Sequence, residues 1–87
     1  MASVTVYTKP GCPYCSRALA LLAKKGVDVD DISAAYDEEK REEMRARSNG
    51  GRTYPQIFIG DTHVGGCDDL IALERSGKLD PLLNDTN

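Results

Sequence analysis

The sequence predicts an α/β domain built on one mixed four-stranded sheet with helices covering it, and three observations carry that reading. A strand period gives way to a helix period and then returns within residues 3–32. Two short apolar runs flank a two-residue turn at Gly60-Asp61. Amphipathic helical repeats lie between and after these segments. One domain spanning 1–87 is expected, because a chain of this size buries only about two-thirds of its surface on folding.

In order along the chain, "SVTVYT" alternates Val4 and Val6 against Thr5 and Tyr7, the period of a strand. From Pro13 to Lys25, Ala18, Leu19, Leu21 and Leu22 recur at helical spacing, and Gly26 after two lysines is a helix stop. "VDVDDI", residues 27–32, alternates again, so strand, helix and strand form a parallel pair with a right-handed crossover. "DEEKREEMRARSNGG" reads as a polar helix from Asp37 to Ser48, ended by Asn49-Gly50. Asp37 and Arg41, and Glu43 and Arg47, are spaced there for ion pairs on a solvated face. "QIFIGDTHVGG" is an antiparallel hairpin whose loop has glycine first. "CDDLIALERSG" is a last amphipathic helix on Leu70, Ile71 and Leu73, and "DPLL" at 80–83 offers an N-cap and a proline for one further turn.

Hydrophobic residues make up 40% and charged ones 29% of the sequence, with no Trp and one Phe, so the core is aliphatic. A net charge of −3 gives no reason to expect nucleic acid or an anionic membrane as partner. "MASVTVYT" enters a strand pattern with neither a basic region nor a long apolar run, and no other stretch approaches a membrane span. A cytoplasmic protein is expected, with its thiols kept reduced. Three cysteines also leave an odd one after any bridge.

Two of those cysteines, in "KPGCPYCSRALALL", are three positions apart at the junction of strand and helix. Such a pair is a redox dithiol, half of a metal site, a structural bridge, or two small buried hydrophobes. Pro13 suits the first helical position, which places Cys12 at the N-cap. A thiolate there accepts hydrogen bonds from the backbone N–H groups of Tyr14 and Cys15 and meets the positive end of the helix dipole, with Lys9 adding a positive charge. Its acidity is expected to lie below the free-thiol value of about 8.5. Cys15 lacks that advantage but is close enough to form and resolve a disulfide. A zinc reading would combine Cys12, Cys15, His63 and Cys67. Against it, Pro13 stiffens the backbone that a metal knuckle must fold, and His63 lies in an alternating strand.

"YTKPGCPYC", followed by "TYPQIFIG" and "HVGGCDDL" at matching separations, resembles the dithiol glutaredoxins of the CPYC type over essentially the whole chain. The resemblance implies a thioredoxin-like fold with sheet order 2-1-3-4, the first two strands parallel and the hairpin antiparallel. It also implies a glutathione-dependent thiol-disulfide oxidoreductase, a monomer, with glutathione as reductant and no metal. Its partners would be disulfide-containing or glutathionylated proteins.

Carried across by the same resemblance, Cys12 is the attacking thiolate and Cys15 the resolving thiol. Thr53-Tyr54-Pro55 matches a loop with a cis peptide before the proline, which leaves the backbone of Tyr54 free to pair with the cysteinyl part of glutathione. Gly66, Cys67 and Asp68 would hold the γ-glutamyl end, Cys67 by its backbone and Asp68 by facing the ammonium, although Asp68 is equally suited to N-capping. Lys9 and Gln56 would lie toward the glycine carboxylate, and Tyr14 would form part of the groove wall. The alternative within the family is a dimer that bridges an iron–sulfur cluster with glutathione, in members that usually lack the Pro-Tyr pair.

Overall fold

Apolar residues on both faces of the central strands dictate the layering of the fold. Along β1 (Val4–Thr8), Val4 and Val6 enter one buried cluster while Tyr7 enters another, the consequence of the two-residue period of a strand. In β3 (Gln56–Ile59), Ile57 and Ile59 follow the valines and Phe58 follows Tyr7. The side of β1 that alternation alone marks as polar is therefore buried too. The computed structural model describes residues 3–84.

The larger cluster joins these strands to α1 (Pro13–Lys24) through Ala18 and Leu22, and to α3 (Cys67–Arg75) through Cys67 and Leu70. It also takes in α4 (Leu79–Leu83) through Leu79 and Leu83. The smaller one sets Tyr7 and Phe58, edge to face at 5.6 Å, against Met44 of α2 (Glu38–Arg47). With β2 (Val29–Ser33) and β4 (Thr62–Gly65), the strands make one sheet in the order β2-β1-β3-β4. β1 runs parallel to β2 and antiparallel to β3, and β3 and β4 form the hairpin. This is the expected sheet, with the second strand two residues later than its alternating pattern. Gly60, at φ 59, opens the hairpin turn in the left-handed region that glycine tolerates.

The side chains of α2 depart from expectation. Neither i,i+4 ion pair forms. Asp37 caps the helix by accepting the Lys40 N–H at 3.2 Å, and Arg41 donates to the Ala35 carbonyl at 3.0 Å. The Tyr7 hydroxyl donates to Glu43 and accepts from Arg47 at 3.1 Å, and the Arg47 guanidinium lies 4.3 Å from the Phe58 ring centroid. The run read as a solvated face thus drapes two of its charged side chains over the aromatic cluster, because the aromatic rings offer both an apolar surface and a hydroxyl partner. At the opposite end, α4 begins at Leu79 with Lys78 as its N-cap, two residues earlier than an Asp80 cap. Asp80 is instead drawn, with Glu74, to Lys25 at 2.9 and 2.7 Å, an arrangement that ties α1, α3 and α4 together.

Leu22 is fully buried in the larger cluster while Leu21 beside it is half-buried. Leu22→Ala is expected to lower the unfolding free energy by about 2–5 kcal/mol, and Leu21→Ala by about half as much or less. Urea unfolding at matched m-values measures both, and equal costs would contradict the inward face assigned to α1.

Candidate active site

β1 ends at Thr8, and Lys9-Pro10-Gly11 turns the chain into α1 with Cys12 at the N-cap in extended backbone and Pro13 as the first helical residue. The Cys12 sulfur accepts the N–H of Cys15 at 3.1 Å. The second bond expected from Tyr14 is not made, since Cys15, three positions on, is where an N-cap side chain reaches. An acceptor here satisfies one of the free N–H groups of the helix start, and negative charge on that sulfur meets the positive helix end. Cys12, Cys15 and Cys67 are all buried and unbridged. Burial pushes the Cys15 thiol up to about 11, and the Cys12 sulfur bonded beside it adds to the effect. Burial also raises Cys67, against a lowering by Arg17.

Two hollows flank this turn. The first, about 230 Å³, lies between the Thr53-Tyr54-Pro55 loop, whose Tyr54–Pro55 peptide is cis, and the start of α3. It brings together Tyr14, Tyr54, Pro55, Gly66, Cys67 and Asp68, six of the residues singled out in the sequence, and adds Thr53 and Asp69. The second, about 410 Å³, is lined by Cys12 and Cys15 themselves with Thr8, Lys9, Leu19 and Asp31. Lys9 lines this second hollow while its ammonium lies 5.9 Å from the ring centroid of Tyr54, a residue of the first. Asp31 accepts the Thr8 hydroxyl at 2.7 Å.

Gln56 lines neither hollow. It is 5% exposed, and its amide nitrogen donates to the carbonyl and the hydroxyl of Thr53, each at 3.0 Å. Its oxygen is 2.7 Å from Nε2 of His63, which must be the donor because an amide oxygen only accepts. Gln56 therefore acts on the loop through Thr53. His63 also stacks on Phe58 at 4.8 Å, facing away from the sulfurs, so the four-ligand zinc set is not assembled. Among the described residues no three His, Cys, Asp or Glu side chains form a group able to hold a metal ion. Among them, too, no helix is long and apolar enough to cross a membrane.

At the start of α3 the cap is Gly66, and its N–H donates to Asp69 at 3.0 Å. Asp69, not Asp68, is the capping carboxylate. The Gly-x-x-Asp spacing is a sequence signal for this pairing, since the residue three after an N-cap reaches back to its N–H. Asp68 is left exposed at the rim of the first hollow. A Cβ at Gly66 would lie 3.6 Å from the Pro55 carbonyl oxygen, so the two chain segments meet there through backbone. At Gly65, φ 113, a side chain would collide with the Asp69 carboxylate.

With this geometry in place, comparison with known proteins is informative. The family model described as glutaredoxin matches residues 4–64. The chain is 57% identical over 83 residues to glutaredoxin 3 of Escherichia coli, covering 95% of this chain and 99% of that one. The solution structure of a glutaredoxin from Brucella melitensis superposes with a TM-score of 0.81 at 60% identity, covering 95% of this chain and 89% of that one. A buckwheat glutaredoxin–glutathione complex gives a TM-score of 0.82 at 34% identity, covering 94% and 76%.

Because burial favours the neutral Cys15 thiol, its thiolate accumulates only as pH rises through about 11. Iodoacetamide labelling of Cys15 in the reduced, folded protein is expected to run at about one ten-thousandth of its limiting rate at pH 7. It should rise about tenfold per pH unit. Peptide mass mapping follows each cysteine separately, and a plateau for Cys15 below pH 9 contradicts the assignment.

Proposed function

The chain belongs to the glutaredoxin family, and from that premise we propose that it uses glutathione to reduce protein disulfides and protein–glutathione mixed disulfides, with Cys12 and Cys15 as its dithiol. That it is a thiol-disulfide oxidoreductase follows from the family. The observation that carries the finer reading is the Cys12 sulfur held at the N-cap of α1 and bonded to the Cys15 N–H, beside a groove bounded by the Pro55 loop and the start of α3.

For a glutathionylated protein, the Cys12 thiolate attacks the glutathione sulfur. The Cys12–glutathione bond forms as the protein sulfur departs as a thiolate and takes up a proton. A second glutathione thiolate then attacks the glutathione sulfur of this adduct, forming oxidised glutathione and restoring the Cys12 thiolate. For a protein disulfide, the Cys12 thiolate attacks one substrate sulfur, and the other substrate sulfur leaves as a thiolate that takes up a proton. Cys15 then loses its proton to solvent and attacks the Cys12 sulfur, the second substrate thiolate leaves, and the resulting Cys12–Cys15 disulfide is reduced by two glutathione molecules. The protonated resting state of Cys15 keeps it from competing with Cys12 in the first step.

In the groove, the backbone of Tyr54 pairs with the cysteinyl part of glutathione. The N–H groups at the start of α3, from Gly66 to Asp68, receive the γ-glutamyl carboxylate, while the Asp68 side chain faces its ammonium. Tyr14 walls the groove, and Lys9 approaches the glycine carboxylate from the second hollow. Gln56 contributes by holding Thr53 in place. The buckwheat neighbour, a glutathione complex of the same fold, supports the choice of ligand.

Cys12→Ser is expected to abolish turnover of a glutathionylated substrate, whereas Cys15→Ser keeps it and loses reduction of protein disulfides. Steady-state assays on the two substrate types measure this, and equal losses in both variants would refute the division of roles. Asp68→Ala is expected to weaken glutathione use by about 1–2 kcal/mol, a five- to thirtyfold fall in kcat/KM for a small glutathione mixed disulfide. The attack of Cys12 on a disulfide without glutathione should stay within about twofold of the parent rate. Equal slowing on both would move the γ-glutamyl site away from α3.

A further inference from the structure

Next to the proposed glutathione groove, on the surface shared by α1 and α3, lies a larger hollow of about 670 Å³. Arg17 of α1 and Arg75 of α3 line it together with the aliphatic side chains of Ile71 and Ala72. Asp68 lines both hollows, so they open side by side. Arg17 also lies 5.7 Å from the ring centroid of Tyr14, a wall of the first groove.

The protein carries a net charge of −3, yet among the described residues neither Arg17 nor Arg75 makes an ion pair. Glu74, the acid beside Arg75 in sequence, faces Lys25 together with Asp80. Two guanidinium groups are thus left without carboxylate partners on either side of aliphatic surface. Their planar forks suit carboxylates, and the aliphatic patch between them suits a branched apolar side chain.

We propose that this hollow docks the polypeptide that flanks the disulfide of a protein substrate, and that it favours segments with two acidic residues around an aliphatic one. The proposal rests on the thiol-disulfide chemistry assigned to Cys12. A substrate chain joined to Cys12 through its cysteine enters the first groove and leaves past Asp68 into the second. The Asp68 carboxylate repels acidic residues at that border and so directs them onward to Arg17 and Arg75.

The test separates binding from catalysis. Two fluorescein-labelled peptides are compared that differ only in carrying Glu or Lys on both sides of a Leu, with Ser in place of the substrate cysteine. Fluorescence anisotropy with the full chain is expected to show the Glu peptide bound about tenfold more tightly than the Lys peptide at about 50 mM salt. The preference should shrink severalfold at about 500 mM salt. R17A/R75A should bind both peptides equally, with an unchanged melting temperature, whereas R17K/R75K should keep part of the preference. Equal binding by the parent protein, or a preference that survives in R17A/R75A, overturns the proposal. So does sedimentation showing that the hollow pairs two copies of the chain, with R17A/R75A monomeric. In parallel, the two peptides carrying an intrapeptide disulfide should show a kcat/KM ratio that follows the binding ratio, while cysteine–glutathione disulfide is turned over equally by parent and R17A/R75A. Failure of the parent protein to turn over any glutathione disulfide sinks the catalytic reading alone, because the anisotropy ratio still decides the docking surface.

Discussion

The position of the Cys12 sulfur at the start of α1 is the constraint on which the rest of the site depends. A side chain at that cap reaches the N–H three residues on, and the spacing of the two cysteines is the same three residues. The bond from the Cys15 N–H to the Cys12 sulfur therefore follows directly from the Cys-Pro-Tyr-Cys spacing once Pro13 has begun the helix. The helix is held in place from its far side. Ala18 and Leu22 are fixed in the larger cluster, and Lys25 is tied to Glu74 and Asp80. A cap carried on a helix anchored along its length and at its far end holds its sulfur in a fixed place between the two hollows.

Strand register brings those surfaces to the same end of the sheet. β1 and β3 pair up to Tyr7 opposite Gln56, so the chain before β3, with its cis Tyr54–Pro55 peptide, and the chain after β1, which leads to Cys12, leave the sheet at the same end. The hairpin then carries Gly65 back beside Ile57, across an irregularity in the β3–β4 pairing, and α3 starts within contact of the Pro55 carbonyl. Three chain segments distant in sequence meet at one sheet end for reasons of pairing alone. β1 is buried on both faces, so the turn that carries Cys12 grows from the part of the sheet least free to move.

Much of this was legible in the sequence because it depends on period, proline and glycine. The change from a period of two to a helical period located the βαβ unit, Gly60-Asp61 located the hairpin, and Pro13 located the cap. What was not legible depends on which long side chain finds which partner across the fold. Tyr7 reads as the polar side of a strand until α2 covers it, and Glu43 and Arg47 read as an ion pair until a tyrosine hydroxyl comes between them. Asp80 precedes a proline and looks like a cap, yet Lys25 lies close enough to draw it into an ion pair. The Asp69 cap is the exception, written in the local Gly-x-x-Asp spacing.

Gln56 is tied to the groove wall without lining the groove. Its amide has two donor hydrogens and both are used on Thr53, while its oxygen takes the proton on Nε2 of His63. No donor hydrogen is left for a ligand unless one of these bonds breaks, and a buried donor left unmatched costs about 1–3 kcal/mol. The amide instead joins β4 to the loop before Pro55 and fixes the main chain of Thr53 at the groove wall. The wall of the groove is therefore held by a polar chain centred on the buried Gln56, and the groove itself presents backbone, the Tyr14 ring and the Asp68 carboxylate.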